Sequence, residues 1–127
     1  MADSLITEDL LNAVAFIESG NDSRAVGDVK LANPAIGAFQ MRRPAFEDVQ
    51  RLRSKYRKRW FEELADDPAF QREMARNYLE VLHQDYGLNT LDDILAGYNA
   101  GPTAVRKGRI PESTRHYIKK VRARLTP

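Results

Sequence analysis

Apolar residues recur along this chain at three- and four-residue spacing, and almost nowhere at the two-residue spacing of a strand. Leu10, Val14 and Ile17 form one stripe, and Leu11, Val14 and Glu18 its neighbour. Phe46, Val49, Leu52 and Tyr56 form a second apolar face, and Phe70, Met74, Tyr78, Val81 and Leu82 a third. Tyr117, Val121 and Leu125 form the last. Start and stop residues bound these stripes. Thr7 reads as an N-cap, with Glu8 and Asp9 in the first turn and Gly20-Asn21 as the exit. Pro44 opens a helix expected to reach Arg59. Asp67-Pro68 opens the next, with Gly87 as its C-cap. Thr90 and Asp93 are spaced as a capping box for a helix to about Tyr98. The last helix is expected over Glu112 to Leu125, with Ser113 or Thr114 as cap choices. Residues 19–43 are rich in Gly, Asn, Asp and Pro and read as one long irregular loop. The pattern predicts a mainly α protein, one compact domain over residues 1–127, with no internal repeat and no linker.

Composition removes several function classes. There is no cysteine, so disulfide scaffolds, thiolate zinc sites and cysteine nucleophiles are excluded. His83 and His116 are far apart and lack metal-ligand spacing, so no metal is expected, and His83 is placed on the surface side of its helix. The net charge of +2 conceals segregation. Residues 1–41 carry 2 basic and 6 acidic side chains, and residues 42–59 carry 8 and 2. Residues 60–104 carry 2 and 9, and residues 105–127 carry 8 and 1. The run Arg51 to Arg59 reads as the solvated face of a helix. No DNA or RNA motif accompanies it, so no nucleic-acid partner is expected. Attraction to an anionic envelope is a better use for it and for Lys119, Lys120, Arg122 and Arg124. Trp60 and Phe61 are expected to anchor a helix junction. No stretch approaches the roughly 18 apolar residues of a membrane span. Met1 to Ser4 carries no basic residue, and Asn12 breaks the run Leu10 to Ile17, so no signal peptide is read.

Four short features carry chemistry. Glu18 continues the apolar stripe of the first helix at its C-terminal end. Desolvation and the negative end of the helix dipole both raise the pKa of such a carboxyl, which suits a proton donor. The plainer alternative is a Glu that bends to solvent. Pro34 to Met41 has small residues at 35, 37 and 38, which admit a ligand close to the backbone, and Gln40 offers a donor and an acceptor. An ordinary tight turn accounts equally for that segment. Ala96 to Pro102 places Tyr98 and Asn99 among small residues, a pairing suited to a sugar and equally to a helix end. Pro111 to Tyr117 reads by itself as a helix start.

In order, Glu18-Ser19-Gly20, Gly37-Ala38-Phe39-Gln40, Gly97-Tyr98-Asn99-Ala100-Gly101-Pro102 and Pro111 to Tyr117 resemble the soluble lytic transglycosylase domain, which shares the lysozyme-like fold of goose-type lysozyme. The resemblance spans residues 10–125. It implies action on peptidoglycan glycan strands between N-acetylmuramic acid and N-acetylglucosamine, without a cofactor. Glu18 matches the single catalytic acid, which protonates the glycosidic oxygen. It then acts as base on the muramic acid's own C6 hydroxyl, giving a 1,6-anhydro sugar. By the same resemblance Ser19 helps place the Glu18 loop, and Gln40 contacts the sugar. Tyr98 and Asn99 line the cleft, and the Tyr117 hydroxyl lies near the acid.

Three departures bear on this reading. The segment between Glu18 and the glutamine loop is longer than usual, through Gly27 to Asn33. Ala38-Phe39 precede Gln40 and Met41 follows it, so Phe39, with Met41, is expected to supply the apolar contact to the sugar. Ser113 stands where the family often has Glu, and Glu112 lies one residue earlier. A hydrolytic lysozyme therefore remains the alternative, with Asp22, Asp28 or Glu112 as a second acid activating water. A non-catalytic wall-binding module is a third class. The expected setting is a monomer made in the cytoplasm that acts on the cell wall, as a phage lysis enzyme (endolysin) or a virion-associated enzyme.

Overall fold

The computed structural model describes residues 4–27 and 33–126. Six α-helices account for most of these residues: α1 Glu8–Ser19, α2 Arg43–Leu52, α3 Pro68–Gln84, α4 Leu91–Ala100, α5 Pro102–Arg106 and α6 Glu112–Ala123. The segment read as wholly irregular contains one antiparallel pair, β1 Val26–Gly27 and β2 Ala35–Ile36, with Val26 opposite Ile36. A two-residue strand is too short to leave alternation in a sequence.

The caps follow the side chains. Thr7 accepts a hydrogen bond from the Leu10 amide, Asp67 from Phe70 and Thr90 from Asp93, each satisfying an amide that the helix itself leaves unpaired. Three boundaries differ from expectation. Helix α2 stops at Leu52, not Arg59. Arg53 turns to extended backbone, a 3-10 turn follows over Ser54–Tyr56, and the Gln50 amide donates to the carbonyls of Tyr56 and Arg59. Tyr56 is buried where the chain makes this turn. Helix α3 ends at Gln84 with Asp85 as its C-cap, and Gly87 takes a positive φ just beyond. Helix α6 starts at Glu112 as expected, with Thr114 inside it, but ends at Ala123 rather than Leu125.

Helix α3 is the central element, and α1 packs against it. Leu10, Leu11 and Val14 are fully buried, with α6 on one side and α3 on another. Helix α3 packs also on α2 and α4, through Met74, Leu79 and Leu82. Phe46 of α2 meets Phe61 and Phe70 edge-on, with ring centroids 5.7 Å and 6.2 Å apart. Phe61 is buried as a junction anchor, but Trp60 is 70% exposed, contrary to expectation. His83 is half-buried rather than on the surface, with Nδ1 2.8 Å from the Leu88 carbonyl. Among the described residues no helix is long and apolar enough to cross a membrane.

Candidate active site

A cleft of about 350 Å³ opens where the C-terminal end of α1, the β2–α2 loop and the C-terminal end of α4 converge. Its walls include Glu18, Gln40, Met41, Arg42, Tyr98 and Asn99, with Tyr78, Ala35, Pro44 and Ala45 beside them. Helical periodicity brings Glu18 here. It stands seven residues after buried Leu11 and four after buried Val14, on the face that α1 turns inward. Gly20 then leaves the helix with φ 69°, so the chain turns away directly after the carboxyl.

Burial raises the Glu18 pKa from 4.5 to about 7. The Tyr117 phenol and the Arg42 guanidinium act in the opposite direction and are outweighed. The Tyr117 hydroxyl is enclosed and makes no hydrogen bond of regular geometry among the described residues, yet it lies close enough to Glu18 to favour the charged carboxylate. Burial and the Glu18 charge push the Tyr117 phenol well up, so it stays protonated. The same causes raise Tyr98, whose hydroxyl donates to the Phe39 carbonyl at 2.7 Å. The Tyr98 ring leans on Tyr78 at 5.7 Å.

The loop beside Glu18 is fixed by Ser19 and Gln71. Ser19 Oγ donates to the Ala38 carbonyl at 2.8 Å and accepts from the Asp22 amide at 2.9 Å, joining the end of α1 to the loop. Gln71 of α3 is 2% exposed. Its Oε1 accepts from the Ala38 amide, and its Nε2 donates to the carbonyls of Ser23 and Leu64. Gly37 makes room for that amide, for its φ is 84° and a Cβ there would collide with the Gln71 side chain. Gln40 adopts φ 50°, and its Nε2 donates to the Gly37 carbonyl at 3.0 Å. This rare backbone for a non-glycine residue turns Gln40 onto the cleft wall.

The structure places the expected residues unevenly. Glu18, Gln40, Met41, Tyr98 and Asn99 share the cleft wall, and Tyr117 stands behind Glu18. Asn99 Oδ1 accepts from Thr114 Oγ1 at 2.7 Å, a bond that does not use its Nδ2 donors. Thr114 thus props a cleft residue instead of capping α6. Phe39 is a correction: its ring is 3% exposed in the core, and it reaches the site through its backbone carbonyl. A large apolar ring is better buried than shown to water, and the loop's bonds leave it on the inner side. Asp22 is exposed and accepts from the Arg24 amide, and Glu112 is exposed beside His116 on α6, so neither lines the cleft. Asp28 lies outside the described residues. Glu18 is the one carboxylate on the cleft wall among the described residues. Among them, too, no three His, Asp or Glu side chains gather as metal ligands would.

The sequence reading missed Arg42, Tyr78, Thr114 and Gln71. Arg42 was submerged in a basic block, and Tyr78 in an apolar stripe. Gln71 left one signal, an amide side chain directly beside Phe70 of the buried α3 face.

A half-buried acid with a pKa near neutral, set in an open cleft with amide side chains and a tyrosine ring, is an arrangement that suits a proton donor to a bound glycan. The chain belongs to the transglycosylase SLT domain family, whose pattern it matches over residues 2–120. It is accordingly a peptidoglycan-acting domain of the lytic transglycosylase or lysozyme type. No curated protein and no solved structure shows a significant match.

Proposed function

We propose that this protein is a lytic transglycosylase that cleaves the β-1,4 bond from N-acetylmuramic acid to N-acetylglucosamine and leaves a 1,6-anhydro end. The observation that carries the reading is Glu18, the one cleft carboxyl among the described residues, with a pKa of about 7. A carboxyl at that pKa is protonated in a large fraction of molecules at neutral pH and can donate to the glycosidic oxygen. The bond from C1 to that oxygen breaks, and the N-acetylglucosamine leaves with its 4-hydroxyl restored. The substrate's own acetamido group shares the positive charge left at C1. Glu18, now a carboxylate, accepts the proton of the C6 hydroxyl as O6 closes on C1, and it ends as it began. No water is consumed. The two-carboxylate schemes need a second acid to activate water or to attack C1. Here an internal hydroxyl held beside C1 does that work, and proximity lets it outrun solvent. Asn99 Nδ2 and Gln40 supply amide contacts for the sugars, and the Tyr98 ring supplies a platform. The test is mass spectrometry of fragments from purified peptidoglycan. Anhydro ends, lighter than reducing ends by one water, are expected. Reducing muramic acid ends alone would refute the proposal in favour of hydrolysis.

A further inference from the structure

Beside the cleft lies a second groove, of about 280 Å³, lined by Arg43, Glu47, Arg57, Lys58, Arg59 and Trp60 among others. Trp60 is the chain's only tryptophan and is 70% exposed. It stands on a fixed turn: its amide donates to Glu63 at 2.7 Å, and the Gln50 side chain pins the carbonyls of Tyr56 and Arg59. A large aromatic presented to water from a fixed turn, beside cations, is a feature of recognition surfaces, where it offers a large contact area.

The charges narrow the ligand. Arg43 is paired with Glu62 and stacked on Phe61, and Arg59 is paired with Glu63 and stacked on Phe70. Arg57 and Lys58 form no ion pair among the described residues and are exposed. Glu47 lines the same groove. The groove is thus weakly cationic and mixed in sign. That suits a ligand with a few carboxylates and an amine, and does not suit a continuous polyphosphate, which needs a dense row of free cations. Position narrows it further. Helix α2 is the ridge between the two depressions. Arg42, Pro44 and Ala45 face the cleft, whereas Arg43 and Glu47, one turn apart, face the groove. A branch leaving a strand in the cleft has only the start of one helix to cross.

We propose that this groove binds the acidic peptide branch of the same wall polymer whose glycan lies in the cleft. The assignment rests on reading the cleft as a peptidoglycan site. The experiment uses the full chain with Glu18→Gln, which leaves the polymer intact, and follows Trp60 emission. Four probes are titrated: a soluble wall glycan bearing its peptides, the same glycan stripped of peptides, the free peptide, and polyphosphate. A blue shift is expected with the first and third only, weakened by salt. Arg57→Ala with Lys58→Ala should weaken binding of the peptide-bearing glycan about three- to tenfold. In the chain that retains Glu18, the same pair should leave cleavage of the stripped glycan unchanged. Silent emission with a peptide-bearing glycan that the Glu18 chain does cleave overturns the groove and leaves the cleft reading standing. Failure of the Glu18 chain to cleave either glycan overturns the cleft reading, and the free-peptide titration then decides the groove alone. A response to polyphosphate or to the stripped glycan as large as that to the peptide overturns the assignment.

Discussion

At Glu18 the apolar wall outweighs a phenol and a guanidinium, and the balance leaves a carboxyl poised near pH 7. Lysis should therefore fall as pH rises through about 7, as the acid form is lost. Glu18→Gln should reduce lysis by at least about a hundredfold while the protein stays folded. The same change should raise stability in alkali. The folded pKa lies above the unfolded one, so the native state binds more protons between 4.5 and about 7, and native stability falls as pH rises across that window. Thermal denaturation at about pH 8 should find the Gln variant more stable by on the order of 1–3 kcal/mol, with the difference gone near about pH 4. Equal stability at both pH values would contradict the buried acid. Tyr117→Phe removes a group that favours the carboxylate, so the alkaline limb of the lysis profile should move to higher pH. Glu18 was legible because a carboxylate interrupts an apolar stripe. Phe39 was not, because loop residues have no periodicity to say which side they face.

At the scale of elements, the site depends on joints between α1, α3 and the β2–α2 loop. Gln71 holds the loop amide of Ala38 and the carbonyl of Ser23 on the far side of Glu18. Gln71→Ala would strand two buried backbone groups and one part-buried one, at a cost of about 2–4 kcal/mol in chemical denaturation. The turnover rate should fall more than substrate affinity, since Gln71 touches the loop and not the cleft. An unaltered turnover rate would show that the loop holds its shape without it. The helices themselves were readable where a cap and a stripe agree, as at Thr7, Asp67-Pro68 and Thr90. The end of α2 was not, because the apolar spacing runs on through Tyr56 while the Gln50 side chain, tied to two later carbonyls, closes a turn. Such a bond joins residues six and nine apart and leaves no periodic trace.

For the whole molecule, the net charge of +2 is the sum of blocks that the fold sets in different places. The basic stretch 51–59 flanks the second groove, and that of α6 lies on another element. A wall polymer rich in carboxylates should be drawn to these faces. Binding of the Glu18→Gln variant to purified sacculi should weaken several-fold as salt rises from about 0.05 M to about 0.3 M, in step with the shrinking Debye length. Salt-independent binding would leave the charge blocks without that use. Fold class was open to the sequence because five amphipathic helices in 127 residues have few ways to share one core; the short α5 left no apolar stripe to read. The cleft as a space was not, since it lies between elements separated by scores of residues.

If the C6 hydroxyl takes the place of water, digestion of purified peptidoglycan in water enriched in oxygen-18 should leave anhydro muramic acid ends that carry no heavy oxygen by mass. One oxygen-18 at each new reducing end would contradict this, and would show that water does the work assigned here to the C6 hydroxyl.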